Sequence, residues 1–168
     1  ARAERFITLG STDGMAAGQP LVQIEVFKDA AGTQSMGPDD GSQYLILDTG
    51  ANGILLDKTA YGALSDAGYQ TVAVYDEVGV SGSSPLDVSA AYRLEYRGSS
   101  GAPLTIQNAR IMSSPDLDFG TIAGFYGLVG MPGMRDRVVS MDMDGQWFSS
   151  GGGCSFGALS PPTTFPTE

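Results

Sequence analysis

Asp48 is the side chain in this sequence whose setting best suits chemistry, because an ionisable group there directly follows an apolar run. The run Tyr44 to Leu47 has the β-prone composition of a buried strand, and Ile54 to Leu56 forms a second run of the same kind. Between the two runs, Gly50 permits a tight backbone bend. The pattern therefore predicts a carboxylate held against two strands, as a general acid or base requires.

This window resembles the catalytic loop of the aspartic peptidase superfamily, which includes pepsin-like and retropepsin-like enzymes. The matching residues read Asp48-Thr49-Gly50-Ala51. The resemblance implies that Asp48 is a catalytic carboxylate and that the Thr49 hydroxyl joins a hydrogen-bonded bridge between two such loops. It also implies that Gly50 lets backbone N–H groups approach the carboxylates and that Ala51 completes the support of the loop.

A second motif of the same family follows later in the chain, in the family order. Gly127-Leu128-Val129-Gly130 is similar to the apolar segment that packs beside the catalytic loop in each lobe. The resemblance covers roughly residues 20 to 145 and is most specific at these two motifs. It implies the acid protease fold, a mainly β, closed, barrel-like lobe with one or two short helices.

The order of elements also implies a flap, the hairpin that covers a bound peptide in this family. Its place lies between the predicted helix and the next strand, where glycines would supply a hinge or tip. An ordinary surface hairpin is the alternative interpretation. The residues assigned to flap and substrate binding are Tyr75, Gly79, Val80, Ser81 and Gly82.

The chemistry implied by the resemblance needs a second carboxylate. In aspartic peptidases two carboxylates share one proton, one activating a water and the other protonating the carbonyl. This chain has one Asp-Thr-Gly, so the mate must come from a second lobe of the same precursor or from a homodimer partner. We favour a second lobe, because residues 1–148 suit a single lobe and residues 149–168 have the Gly/Ser/Pro-rich composition of a tail or interlobe linker.

Composition argues against several other classes of function. The chain of 168 residues has 19 acidic and 9 basic side chains, so its charge of −10 repels nucleic acid. It has no histidine, which excludes a Ser-His-Asp site or histidine-ligated zinc within this chain. We predict no cofactor, no metal and no membrane span, since no apolar run is long enough. The single cysteine, Cys154, cannot form a disulfide within the chain.

Alternating apolar residues and frequent Gly and Pro predict short strands and tight turns. The predicted strands are Leu21 to Phe27, Val88 to Tyr96, Leu104 to Met112 and Arg137 to Met143. One helix is predicted over Lys58 to Ser65, with Asp57 or Thr59 as its N-cap.

Two functions follow as hypotheses. The first is an aspartic endopeptidase half-site that acts on peptide or protein substrates, in a protein that the resemblance implies is secreted, periplasmic or extracellular. The alternative is a non-catalytic lobe of the same fold that binds a peptide or a protein.

Overall fold

The computed structural model describes residues 5–8, 19–37, 44–79, 82–97, 104–119, 125–135, 137–142 and 153–158. The fold is mainly β. Its strands are β1 (Arg5–Thr8), β2 (Leu21–Val22), β3 (Ile24–Phe27), β4 (Ser35–Gly37), β5 (Leu45–Leu47), β6 (Ile54–Leu56), β7 (Thr71–Gly79), β8 (Gly82–Ser89), β9 (Tyr92–Tyr96), β10 (Leu104–Ala109), β11 (Met112–Ser113), β12 (Gly127–Val129), β13 (Arg137–Asp142) and β14 (Gly153–Ala158). The helices are α1 (Lys58–Asp66) and α2 (Met131–Met134).

The strands form three sheets. The largest has seven strands in the order β2-β5-β12-β6-β11-β8-β7, the second has four in the order β10-β9-β3-β4, and the third has three in the order β1-β14-β13. The closed barrel predicted from the sequence is not found among the described strands, because the two outermost strands of each sheet do not pair with each other. The mainly β class is confirmed, and the architecture is one of open sheets packed on a shared core.

The chain passes between the two larger sheets at short corners, and this explains why three predicted strands are each split. Leu21 to Phe27 is divided at Gln23 into β2 and β3. Val88 to Tyr96 is divided at Ala90 and Ala91 into β8 and β9, which lie in different sheets, and Leu104 to Met112 is divided into β10 and β11 in the same way. Tyr92, Leu94 and Tyr96 are buried and alternate with half-buried neighbours, as the alternation of apolar residues in the predicted strand Val88 to Tyr96 implies. Strand periodicity identifies the inward face, but it does not reveal where the chain changes sheets.

Ser89 joins two of these corners. It is fully buried, and its hydroxyl donates to the Ala90 carbonyl at 2.6 Å while accepting the Ile111 N–H at 2.9 Å. Its own N–H donates to the Ile111 carbonyl at 2.9 Å. These bonds tie the exit of β8 to the entry of β11, where the chain crosses between the sheets in opposite directions.

The core lies between the seven-stranded and four-stranded sheets, with α1 packed at its side. The Asp57 carboxylate caps α1 by accepting the N–H groups of Thr59 and Ala60 at 3.0 and 3.1 Å, so the prediction of Asp57 as N-cap is confirmed and that of Thr59 is wrong. The largest side chains that are fully buried are those of Leu21, Ile24, Leu45, Leu47, Ile54, Leu64, Leu86, Leu94, Leu104 and Ile111.

The C-terminal tail predicted from residue 149 onward differs from the structure at residues 153–158. This segment is β14, the central strand of the three-stranded sheet, and it pairs with β1 on one side and β13 on the other. The Gly/Ser-rich composition suggested a linker, but two neighbouring strands supply the backbone hydrogen bonds that such a segment cannot make alone. Residues 159–168 of the predicted tail lie outside the described residues.

Candidate active site

Three short strands hold the loop that carries Asp48. β12 lies between β5 and β6, parallel to the first and antiparallel to the second, with Leu128 facing Ile46 on one side and Leu55 on the other. All three strands are apolar and largely buried. Residues 48–53 connect β5 to β6, and they therefore pass across the end of β12.

The loop is hydrogen-bonded on both sides to the chain that leaves β12. The Asp48 N–H donates to the Val129 carbonyl at 3.0 Å, and the Gly130 N–H donates to the Gly53 carbonyl at 2.9 Å. The segment predicted to pack beside the loop, Gly127 to Gly130, thus lies directly against it. The backbone on both sides of Asp48 has little freedom to shift, because its position is set by bonds to a buried strand.

The Asp48 carboxylate is partly exposed and points back over its own loop. Its Oδ1 accepts the Gly50 N–H at 2.7 Å, the short contact typical of a charge-assisted bond. A Cβ at position 50 would lie 3.2 Å from the same oxygen, so glycine leaves room for the carboxylate. Thr49 and Gly50 are exposed, whereas Ala51 is half-buried. One carboxylate oxygen is therefore fixed by the backbone, and the group as a whole is accessible to a ligand.

Gly130 permits the close approach of β12 to the loop. A Cβ there would lie 2.4 Å from the carbonyl oxygens of both Ala51 and Gly53, well inside contact distance. The Met131 N–H also donates to the Ala51 carbonyl at 2.9 Å. Only glycine fits at position 130 between these two carbonyls while the N–H groups of residues 130 and 131 bond to them.

The segment before β12 extends the same arrangement. The Tyr126 N–H donates to the Tyr44 carbonyl at 2.7 Å, and its carbonyl accepts the Asp57 N–H at 2.9 Å. At the start of α1, the Lys58 ammonium lies 2.6 Å from a carboxylate oxygen of Asp118, which joins the helix to the segment after β11. The segment that precedes β12 is therefore hydrogen-bonded to the residue before β5 and to the residue after β6.

The hairpin formed by β7 and β8 occupies the place predicted for a flap. It pairs along its whole length, from Thr71 opposite Ser89 to Gly79 opposite Gly82. Tyr75 is 45% exposed, and Gly82 has a φ of +116°, which favours glycine at this end of the hairpin. Val80 and Ser81, also assigned to the flap, lie outside the described residues. The hairpin itself is therefore present, whereas its function as a flap stays a prediction.

Tyrosines and polar groups anchor the base of this hairpin. The Tyr61 hydroxyl donates to Asp87 Oδ2 at 3.2 Å, and the Tyr69 hydroxyl lies 3.1 Å from the Ile111 carbonyl and 3.0 Å from Ser113 Oγ. Burial raises the pKa of Tyr69 to about 12, so this phenol is neutral and available as a donor at physiological pH. The base of the hairpin is thus joined to the body by side chains.

A surface cavity of about 330 Å³, not predicted from the sequence, lies beside the Asp48 loop. Asn52 and Gly53 form part of its wall, so the cavity adjoins the end of the loop. Among the described residues, the lining combines apolar, amide and guanidinium groups. Its other lining residues are Val88, Ile106, Gln107, Asn108, Ala109, Arg110, Met112, Pro132 and Arg135.

Within the described parts of the chain, no cluster of three or more potential metal-ligating acidic, cysteine or histidine residues occurs. No described helix has the length and hydropathy needed to span a membrane. Comparison with protein-family models gave no match, and comparison with curated proteins gave no significant match.

Proposed function

We propose that this chain is an aspartic endopeptidase lobe of the acid protease fold that supplies one of the two catalytic carboxylates. The observation that carries the proposal is the setting of Asp48. A partly exposed carboxylate is fixed by the Gly50 N–H and lies in a loop bonded to an inserted, buried strand. A general acid or base needs this combination of fixed position and access to a ligand.

In the proposed reaction Asp48 and its mate share one proton across a bound water. The ionised member takes a proton from the water, which attacks the peptide carbonyl, and the protonated member donates to the carbonyl oxygen. The N–H of Gly50 donates to Oδ1 of Asp48 and so orients its carboxylate. The hairpin β7–β8 would cover the peptide, with Tyr75 facing it, and so limit the access of bulk water.

The mate carboxylate comes from outside these residues. We propose that a second lobe of the same precursor supplies it, and a homodimer is the rival arrangement. Intact mass and size-exclusion chromatography of the purified protein distinguish the two, because a homodimer contains only this chain and a two-lobed protein contains a companion segment.

The test uses that complete assembly, with a denatured protein as substrate between pH 3 and pH 7. We expect cleavage that a statine-type inhibitor of the carboxylate pair blocks, and Asp48→Asn should abolish it while thermal unfolding stays unchanged. Asp116→Asn is the matched control, because Asp116 is exposed in a turn, and it should retain full activity.

Cleavage by Asp48→Asn at the wild-type rate would overturn the proposal. An assembly that binds extended peptides without cutting them would instead support the alternative, a non-catalytic peptide- or protein-binding lobe. The observation that favours this alternative is that the chain contains a single Asp-Thr-Gly.

A further inference from the structure

The β7–β8 hairpin has a solvent face that carries large apolar side chains. Tyr75 lies opposite Leu86, which is buried, so the face that these two share is turned toward the body of the protein. Side chains alternate along a strand, and positions 74, 76 and 78 therefore lie on the other face. Val74 and Val78 are both exposed there. Apolar side chains grouped in solvent mark sites of interaction with other molecules.

One edge of this hairpin is suited to accept a further strand. β7 is the outermost of the described strands at its end of the seven-stranded sheet. An outermost strand presents backbone N–H and C=O groups with which an extended peptide can pair. The neighbouring strand β8 carries Pro85, which has no N–H and so opposes strand addition, whereas β7 has no proline. The structure therefore favours β7 as the strand that an extended peptide would join.

The charge of the hairpin indicates what kind of peptide fits. Residues 59–92 contain no lysine or arginine, and their acidic residues are Asp66, Asp76, Glu77 and Asp87. Asp76 is exposed and lies between Val74 and Val78 on the solvent face. The face thus reads apolar, acidic, apolar along β7. A strand that complements it carries a basic residue between two apolar residues at the same spacing, because opposite charges on paired strands attract.

Glu77, which follows Asp76 on β7, gives a second indication of a partner. Its Oε2 atom is buried, and within the described structure it has no hydrogen-bond partner. A buried carboxylate oxygen without a donor costs free energy. A hydroxyl or ammonium group on a strand added beside β7 would supply such a donor.

We propose that β7 binds an extended segment of another protein in which a lysine or arginine lies between two apolar residues at alternate positions. The segment adds to β7 as an antiparallel strand. Its basic side chain lies against Asp76, and its apolar side chains pack beside Val74 and Val78. The site uses the face of the hairpin opposite Tyr75, so it is independent of peptide cleavage at Asp48.

A second copy of this chain fits the same edge less well. If two β7 strands pair in antiparallel fashion, the register that places Val74 opposite Val78 also places the two copies of Asp76 opposite each other. Like charges in directly opposed positions destabilise a pair of strands. The charge of −10 on each chain adds a further repulsion. A basic partner relieves both effects.

The test is a titration of the purified protein with heptapeptides, followed by backbone amide NMR shifts. The probe is acetyl-Thr-Val-Thr-Lys-Thr-Val-Thr-amide, whose lysine pairs with Asp76 while its valines pair with Val74 and Val78. We expect saturable shifts at the β7 amides, and about tenfold weaker binding when glutamate replaces the lysine. A peptide with proline in place of the threonine after the lysine loses a backbone donor, and it should also bind about tenfold more weakly.

Charge reversal on the protein locates the contact. Asp76→Lys should bind the glutamate peptide about tenfold more tightly than the lysine peptide, which reverses the wild-type preference. Position 76 is exposed, so we expect thermal unfolding to stay unchanged. Asp66→Lys is the matched control, because Asp66 is exposed in α1 and the charge changes by the same amount. It should keep the wild-type preference for lysine.

Equal binding of the lysine and glutamate peptides, or the absence of saturable shifts at β7, would overturn the proposal. Undiminished binding of the proline peptide would overturn it too, because the backbone of β7 would then not be used. Shifts of the β7 amides that depend on protein concentration without any peptide would assign the edge to a second copy instead. None of these outcomes bears on cleavage at Asp48, which Asp48→Asn tests separately.

Discussion

The strands around Asp48 and the hairpin β7–β8 belong to one seven-stranded sheet, but their surroundings are opposite. β12 is hydrogen-bonded on both sides and Val129 is fully buried, whereas β7 lies at the edge of the sheet and Val78 is 76% exposed. Both segments are rich in apolar residues. The number of neighbouring strands, rather than composition, therefore decides which segment is fixed and which is accessible.

This difference agrees with the two roles that the proposed peptidase needs, a fixed catalytic loop and a movable cover. A catalytic carboxylate gains from a backbone that does not move, and a cover must open and close to admit a peptide. Segments with few buried contacts open at lower free energy than those in the core. β7, with Val72 at 56%, Val74 at 66% and Val78 at 76% exposure, has few such contacts within the described structure.

The largest expected effect comes from a methyl group at the crossing of the loop and β12. Gly130→Ala places a Cβ 2.4 Å from two backbone carbonyls that have no room to retreat. We expect the free energy of unfolding to fall by about 3 kcal/mol or more, measured by urea denaturation.

The matched control is Gly62→Ala, the same change in α1 at a position with open space around it. It should stabilise the protein by up to about 1 kcal/mol, since alanine favours a helix. Equal effects of the two changes would mean that the loop relaxes and that β12 does not fix it rigidly.

An intermediate effect is expected where the hairpin joins the body. Ser89→Ala removes the buried hydroxyl that bonds Ala90 and Ile111, leaving the Ile111 N–H without its partner. We expect a loss of about 1 to 3 kcal/mol in the free energy of unfolding. Ser84→Ala, on the exposed part of β8, is the control and should change it by less than about 0.5 kcal/mol. A negligible loss at Ser89 would show that the corners hold without this bond.

The smallest effect is expected on the exposed hairpin itself. Val78→Thr should shift the free energy of unfolding by less than about 0.5 kcal/mol, because the side chain is in solvent. The same substitution at Val129 buries a hydroxyl and should cost about 1 to 3 kcal/mol. Chemical denaturation of both variants measures the contrast directly, and similar losses would contradict the division between the two regions.

The sequence predicted the local features of the fold better than its assembly. Burial at Tyr92, Leu94 and Tyr96 follows from alternation, and the Asp57 cap follows from a residue preference for helix starts. The sheet changes at Ala90 and Arg110 did not follow, because they depend on a buried hydroxyl and on pairing between distant segments. β14 was missed for a related reason, since a Gly/Ser-rich strand has no apolar alternation and is defined by its two partners.

The same contrast applies to the candidate site. The positions of Asp48 and Gly50 were predictable from a short motif and its apolar flanks. The cavity was not, because residues from the Asp48 loop, β8, β10 and α2 meet there only after folding. A possible signal was the presence of Arg110 and Arg135 in an otherwise acidic chain, but nothing in their spacing predicts that they share a wall.

The insertion of β12 between β5 and β6 also has a consequence for the order of folding. β5 and β6 are adjacent in sequence, yet the parallel partner that separates them is encoded almost half the chain later. Contacts of such long sequence separation form slowly, because a long loop must close before they contribute any free energy. During synthesis, the Asp48 loop therefore acquires its final geometry only after Gly130 has left the ribosome. Until then, the Asp48 carboxylate is not held by the strand that fixes its loop in the folded protein.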